Sequence, residues 1–152
     1  MDIRYAAGLF DGEGYVRIAR WKKPNSRHVR YNVVAGIGMT YLPIIEALRD
    51  QFGGSLSENR HDLRNSKARI QFTWNIGSQV AARFLRKVLP HLIVKHDEAQ
   101  LALLLQDNID KYVHKLGHHH IYHPDRDKIF AYRADLADQI FALKKRSFSS
   151  RR

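Results

Sequence analysis

Hydrophobic and polar positions change period several times along this chain, and each change predicts an element. From Tyr5 to Gly14 the residues are small and apolar (Ala6, Ala7, Leu9, Phe10), then acidic among glycines (Asp11, Glu13), which reads as a short helix. After Gly14 the period falls to two. Val16 and Ile18 point one way, while Tyr15, Arg17, Ala19 and Trp21 point the other. Lys22 to His28 forms a polar, proline-containing turn. A second strand is predicted from about Arg30 to Met39. Val33, Ala35, Ile37 and Met39 share one face, and Arg30, Asn32, Val34, Gly36 and Gly38 share the other. Thr40 is placed to cap a helix running to about Phe52, with Pro43 tolerated in its first turn and Gly53-Gly54 ending it. Ser55 to Arg60 reads as a weak polar strand. Lys67 to Ile76 alternates strictly: Ala68, Ile70, Phe72, Trp74 and Ile76 against Lys67, Arg69, Gln71, Thr73 and Asn75. Helices are then predicted over about Gln79–Leu89 (stopped by Pro90), Asp97–Val113 and Asp125–Lys145, with a loop over His114–Pro124.

The order α-β-β-α-β-β-α-α-α is an α+β layout. An αββαββα core would pack one antiparallel four-stranded sheet under helices, C-terminal helices would follow, and the sheet's other face would stay open. A single domain over residues 1–146 and a basic tail over 147–152 are expected. The open face would carry Arg17, Arg30, Lys67, Arg69 and Gln71. Along Lys67–Asn75 it presents two cations, two amides and a hydroxyl, with no acid.

Charge sharpens this picture. Among 152 residues, 26 Lys and Arg oppose 15 Asp and Glu, a net charge of +11 with histidines neutral, which favours a polyanionic partner such as nucleic acid. Hydrophobic residues at 44% with 27% charged fit a soluble globular domain. No apolar run is long enough to span a membrane, and Asp2 and Arg4 interrupt any signal peptide, so a soluble intracellular protein is expected, its compartment left open between a bacterial or phage cytoplasm and an organelle. The absence of cysteine excludes disulfides and thiolate zinc sites. His118, His119, His120 and His123 cluster in the predicted loop. Without a cysteine or a second shell, their expected effect is added positive charge at low pH rather than a metal site.

Gly8 and Gly12 lie four apart, on one helical face, where two such faces could approach closely. Glycine costs about 1 kcal/mol against alanine inside a helix, so the pair implies a packing need. Glu13, between Gly12 and Gly14, has little bulk around it and suits a carboxylate that holds a metal ion against a phosphate.

The stretch Ala6-Ala7-Gly8-Leu9-Phe10-Asp11-Gly12-Glu13-Gly14 resembles the signature of the LAGLIDADG homing endonucleases. It departs from it in Ala6 for the first leucine, Phe10 for isoleucine, Gly12 for the second alanine and Glu13 for the second aspartate. Leu92-Ile93-Val94-Lys95-His96-Asp97-Glu98-Ala99-Gln100-Leu101 resembles the family's entry into its next helix, with Lys95 at the lysine near the scissile phosphate. The signature occurs once, which fits the single-motif type. The resemblance implies Glu13 and Lys95 as catalytic residues, and Glu13 with the Gly12 carbonyl as ligands of Mg²⁺ (or Mn²⁺). Asp11 would be mainly structural. It further implies a homodimer seam at Ala7, Gly8, Asp11 and Gly12, and cleavage of both strands of a long pseudo-palindromic duplex DNA with 3′ overhangs. Two copies would supply two carboxylates where one chain offers one.

Arg17, Trp21, Arg30, Asn32, Ser57, Asn59, Lys67, Arg69, Gln71 and Thr73 are the expected DNA contacts from the sheet, although Trp21 could equally be a core or dimer residue. A strand of about seven residues covers ~23 Å, or roughly seven base pairs. The family's polar residue near the end of the second strand falls at Met39, so that partner is open, with Arg69 or Gln71 as substitutes. No membrane and no small-molecule substrate are expected. The competing expectation is a cleavage-inactive DNA- or RNA-binding protein on the same fold, a maturase or transcriptional regulator.

Overall fold

A computed structural model describes residues 1–22, 24, 29–59, 70–113 and 124–149. The first helix, α1 (Ile3–Glu13), is capped by Asp2, whose carboxylate accepts the Arg4 and Tyr5 amides. It buries Ala6, Ala7 and Phe10 and runs without a loop into β1 (Gly14–Lys22). Then come β2 (Val29–Met39), α2 (Leu42–Phe52), β3 (Ser55–Asn59) and β4 (Gln71–Gly77). Three helices complete the described chain: α3 (Ser78–Val88), followed by a 3₁₀ turn over Leu89–His91, then α4 (His96–Val113) and α5 (Arg126–Ser149). The strands form one antiparallel sheet in the order β1-β2-β4-β3.

Alternation decides which face of the sheet is covered. Val16, Val33, Ala35, Ile37, Trp74 and Ile76 are buried together with Phe10, Ile45, Leu48 and Phe84 of the helices. At the centre, the Phe84 ring meets those of Phe10, Phe52 and Trp74 at centroid distances of 5.2, 5.0 and 5.0 Å, all edge-to-face. Trp74 Nε1 donates to the Gly53 carbonyl at 2.7 Å, so the buried indole is satisfied. On the open face, Tyr15, Gly36, Asn75 and Ser55 stand in one row across all four strands.

Three boundaries depart from the sequence reading. Thr40 lies two residues before α2: the cap is Tyr41, which makes no side-chain capping bond, and proline in the first turn supplies the helical φ. β4 begins at Gln71, and Ile70, expected to face the core, is 37% exposed. The predicted strand residues 67–69 lie outside the described residues, as do the loop 114–123 with His118, His119, His120 and His123, and residues 150–152 of the basic tail. Helix α5 continues to Ser149, past the expected end at Lys145 and into the segment expected as tail. It lies along β1, where Arg20 meets Asp138 at 2.6 Å. No helix among the described residues is long and apolar enough to cross a membrane.

Candidate active site

The site grows from the last turn of α1. The Gly14 amide closes the helix on the Phe10 carbonyl, leaving the carbonyls beyond it with no further helical amide. One of them, Asp11 O, accepts the Lys95 ammonium. The Asp11 carboxylate reaches the same segment twice, accepting the Ile93 amide at 2.7 Å and the Lys95 amide at 2.9 Å. Three hydrogen bonds therefore pin residues 93–95 to the end of α1 across sequence separations of 82 and 84. The Lys95 carbonyl then opens α4 by accepting the Ala99 amide at 2.9 Å. Half-buried Lys95 and exposed Glu13 are thus brought to one end of one helix.

The glycine face of α1 is open. A methyl group built on Gly8 or on Gly12 would meet nothing within 4 Å. Tyr5, 55% exposed, lies on the same side as Gly8 and Gly12. Ala7 does not belong to that face. It is fully buried in the chain's own core, because it sits on the stripe with Phe10 and Ile3; this corrects the expectation of Ala7 as a seam residue. Asp11 is half-buried and committed to the residues 93–95, not to an outward face.

Glu13 and the Gly12 carbonyl are hard oxygen donors at the negative end of a helix, the chemistry a divalent cation of the magnesium class takes. No group of three acidic or histidine side chains among the described residues could enclose a metal.

Beside this turn a cleft of about 510 Å³ opens between α4, α5 and the start of β1, with Gly14, Tyr15, Lys95, Glu98 and Lys144 on its walls. Burial raises the Glu98 carboxyl above its ordinary value, against the pull of Lys144 and Lys95. Burial likewise lowers the Lys144 ammonium; Glu98 opposes this, and Arg17 and Lys95 add to it. Sequence reasoning missed Lys144, Glu98 and Tyr15, since nothing local marks a helix 130 residues away as a wall of the α1 turn. The Tyr15 phenol is raised by burial and donates to Asn75 Oδ1 across Gly36, where any Cβ would strike the Tyr15 ring and the Trp74 carbonyl.

The expected sheet residues divide. Ser57 and Asn59 are exposed on β3 beside Thr73, whose hydroxyl accepts from Asn59 Nδ2 at 3.3 Å. The Gln71 amide lies over Gly38, 3.0 Å from where a Cβ would stand, and so occupies the end of β2 where Met39 instead turns half-buried toward the core. Trp21, 45% exposed, pairs with exposed Arg30 across the outer end of the sheet. Arg17 is exposed but lies against α5, in a second cleft with Phe141 and Lys144. Asn32 is engaged structurally: its Oδ1 accepts the Ser78 amide at 3.1 Å and hydroxyl at 2.6 Å, holding Ser78 at φ 49° where β4 turns into α3. Lys67 and Arg69 lie outside the described residues.

Neither a protein-family model nor a curated protein matches the sequence. Solved structures do match in shape. The archaeal intron-encoded homing endonuclease I-Vdi141I complexed with DNA superposes with a TM-score of 0.70 at 16% identity, over 93% of this chain and 82% of its own. The homing endonuclease I-CvuI, in complex with its target in the presence of calcium, gives 0.69 at 16% identity over 93% and 80%. I-TnaI, also a homing endonuclease, gives 0.61 at 14% identity over 96% and 97%. At these identities the likeness is one of fold, extending over nearly the whole chain.

Proposed function

We propose that this chain, which has the fold of the LAGLIDADG homing endonucleases, is a site-specific DNA endonuclease of the homing type acting as a homodimer. The observation that carries the reading is the Asp11 junction. Two segments that resemble the family's motifs, far apart in sequence, meet through three hydrogen bonds at the end of α1, so that Lys95 lies at the helix end that carries Glu13. A structural domain with a merely basic surface would need neither this junction nor an open glycine face beside it.

In the proposed dimer, Gly8 and Gly12 of two copies face one another, and Tyr5 packs at the flank. Each copy then contributes Glu13 and a Gly12 carbonyl to metal holding at the two-fold. Mg²⁺ or Mn²⁺, when bound, would polarise the phosphate and lower the pKa of a water. What the chain itself supplies is position and charge. The Lys95 ammonium spends one donor on the Asp11 carbonyl, which fixes its direction, and keeps two for the phosphate or the attacking water. Its positive charge stabilises the negative charge that grows on the phosphate oxygens. The open sheet faces would lie along the major groove to either side, with Ser57, Asn59, Gln71, Thr73, Lys67 and Arg69 as readers and Trp21 and Arg30 reaching the outer base pairs. One strand would be cut per active site across the minor groove, leaving 3′ overhangs.

The test is cleavage of a randomised duplex library by purified protein in Mg²⁺, with sequencing of the new ends. A pseudo-palindrome cut at a fixed stagger is the expected result. Glu13→Gln should abolish cutting while DNA affinity is kept. Intact DNA with a sequence-enriched bound fraction would replace the endonuclease with a binding protein on the same fold, and neither cutting nor enrichment would remove both.

A further inference from the structure

The cleft between α4, α5 and the start of β1 contains charge that the proposed mechanism does not use. Lys95 and Glu98 lie three apart at the start of α4, so they share a face, and Lys144 approaches from α5. Arg17 acts on Lys144 from β1. Asp97 stands at the rim, exposed, with its carboxylate 3.2 Å from His96 Nδ1. Lys95 and Lys144 therefore share the cleft with Glu98 and the rim acid Asp97, and Arg17 stands by Lys144 in the neighbouring cleft. Partly desolvated charges of one sign are held together only at a free-energy cost. The strain on Lys144 is directional: burial, Arg17 and Lys95 all disfavour its charged form, and Glu98 opposes them. An arriving oxyanion would relieve that excess. The cleft opens at Gly14 and Tyr15, next to Glu13, where a DNA strand tracked by the sheet would present its backbone.

We propose that Lys144 is a further phosphate-contacting residue of this site, placed beside Lys95 at the α1–β1 turn, and that Glu98 is the positioning residue that holds it there. Its part in cutting rests on the endonuclease reading. The contact itself can be read from binding alone. A DNA phosphate seated against Lys144 and Lys95 is gripped by two ammonium groups from different helices, so its place relative to Glu13 is set in two directions.

The test is the salt dependence of binding. Anisotropy of a fluorescein-labelled duplex of mixed sequence is followed from about 50 to 200 mM KCl, without Mg²⁺. Lys144→Met should lower the slope of log K against log salt by about 0.9, the effect of one phosphate contact, and Lys144→Arg should restore it. Glu98→Gln is the sharper variant. It adds net positive charge, so a solvated acid would leave binding tighter with the slope kept. A positioning acid would flatten the slope despite the added charge. Lys144→Gln stands in if the methionine variant fails to fold. Unchanged slopes, with only the melting temperature moved, would make the pair a prop for α5 and overturn the proposal. Saturable binding of inorganic phosphate, lost in Lys144→Met while the duplex slope stays, would overturn it in favour of a free-anion site. A wild type with a Lys144-dependent slope that cuts no duplex would remove the endonuclease reading and leave this one. A wild type that cuts, with slopes unaffected by Lys144, would do the reverse.

Discussion

Replacing Asp11 by alanine would test the junction on which the site depends. The substitution removes the carboxylate that accepts the Ile93 and Lys95 amides but leaves the backbone carbonyl that accepts the Lys95 ammonium. Hydrogen bonds to a charged group contribute about 1.5–3 kcal/mol each. Here one amide is exposed and can turn to water, while the other is half-buried and cannot do so fully. A carboxylate in the last turn also opposes the helix dipole, by roughly 0.3–1 kcal/mol, and its removal returns that amount. The net expectation is a loss of about 2–3 kcal/mol, large against a typical total of about 5–15. Urea unfolding should show a lower midpoint with the m-value kept, since the fold buries the same surface. In the proposed reaction the loosened 93–95 segment should also cost about 100-fold in cleavage rate, the scale of a displacement of about 1 Å at a reacting group. A stability change below about 0.5 kcal/mol, the range of an ordinary surface substitution, would refute this account of Asp11.

Gly8→Ala and Gly12→Ala should raise the stability of the isolated chain by about 0.5–1 kcal/mol, since both sites are helical and open, yet weaken self-association measured by sedimentation. Self-association unchanged by leucine at both sites would remove the seam from this face. Phe10→Ala should cost about 3–5 kcal/mol in urea unfolding, because Phe10 is fully buried against the Phe84 ring and closes the core beneath α1. Gly54→Ala should destabilise by about 1–3 kcal/mol, because φ is 99° there and a Cβ would lie 2.5 Å from the Asn75 carbonyl. Glu98 is held above its unfolded value near 4.5, so its contribution to stability is present below that value and is lost as pH rises through the higher folded pKa. Wild-type stability measured relative to Glu98→Gln should accordingly fall as pH rises from about 4.5; a difference independent of pH would show that Glu98 is not displaced from its unfolded value.

The parts of this structure legible in the sequence are those governed by short-range periodicity. The order of elements, the alternation in β1, β2 and β4, and the glycine face of α1 follow from spacings of two, three and four residues. Glu13 and Lys95 stand out in the sequence only by resemblance to known motifs, not by pattern. Residues whose role depends on a distant partner were not legible. Asn32 reads as one more polar position on an open face, and only β2–β4 pairing shows that it meets Ser78. Ala7 and Gly8 are equally small, and the direction of the core alone separates a buried alanine from an open glycine. Lys144 is one cation among many on a helix whose apolar pattern is weak. What singles it out is α5 lying along β1, a fact of tertiary packing.

The distances in sequence that the site spans also set a timetable. Of these, Glu13 emerges first in synthesis, Lys95 follows 82 residues later, and Lys144 of the α5 wall another 49 residues after that. Closing loops of that length is slow compared with forming α1 or a hairpin. A nascent chain therefore carries the glycine face and its carboxylate long before it has the lysine that Asp11 must capture. Until α5 has been made, the proposed nuclease would be a basic, partly folded chain unable to hydrolyse the nucleic acid around it, becoming competent only when α1, residues 93–95 and α5 have met.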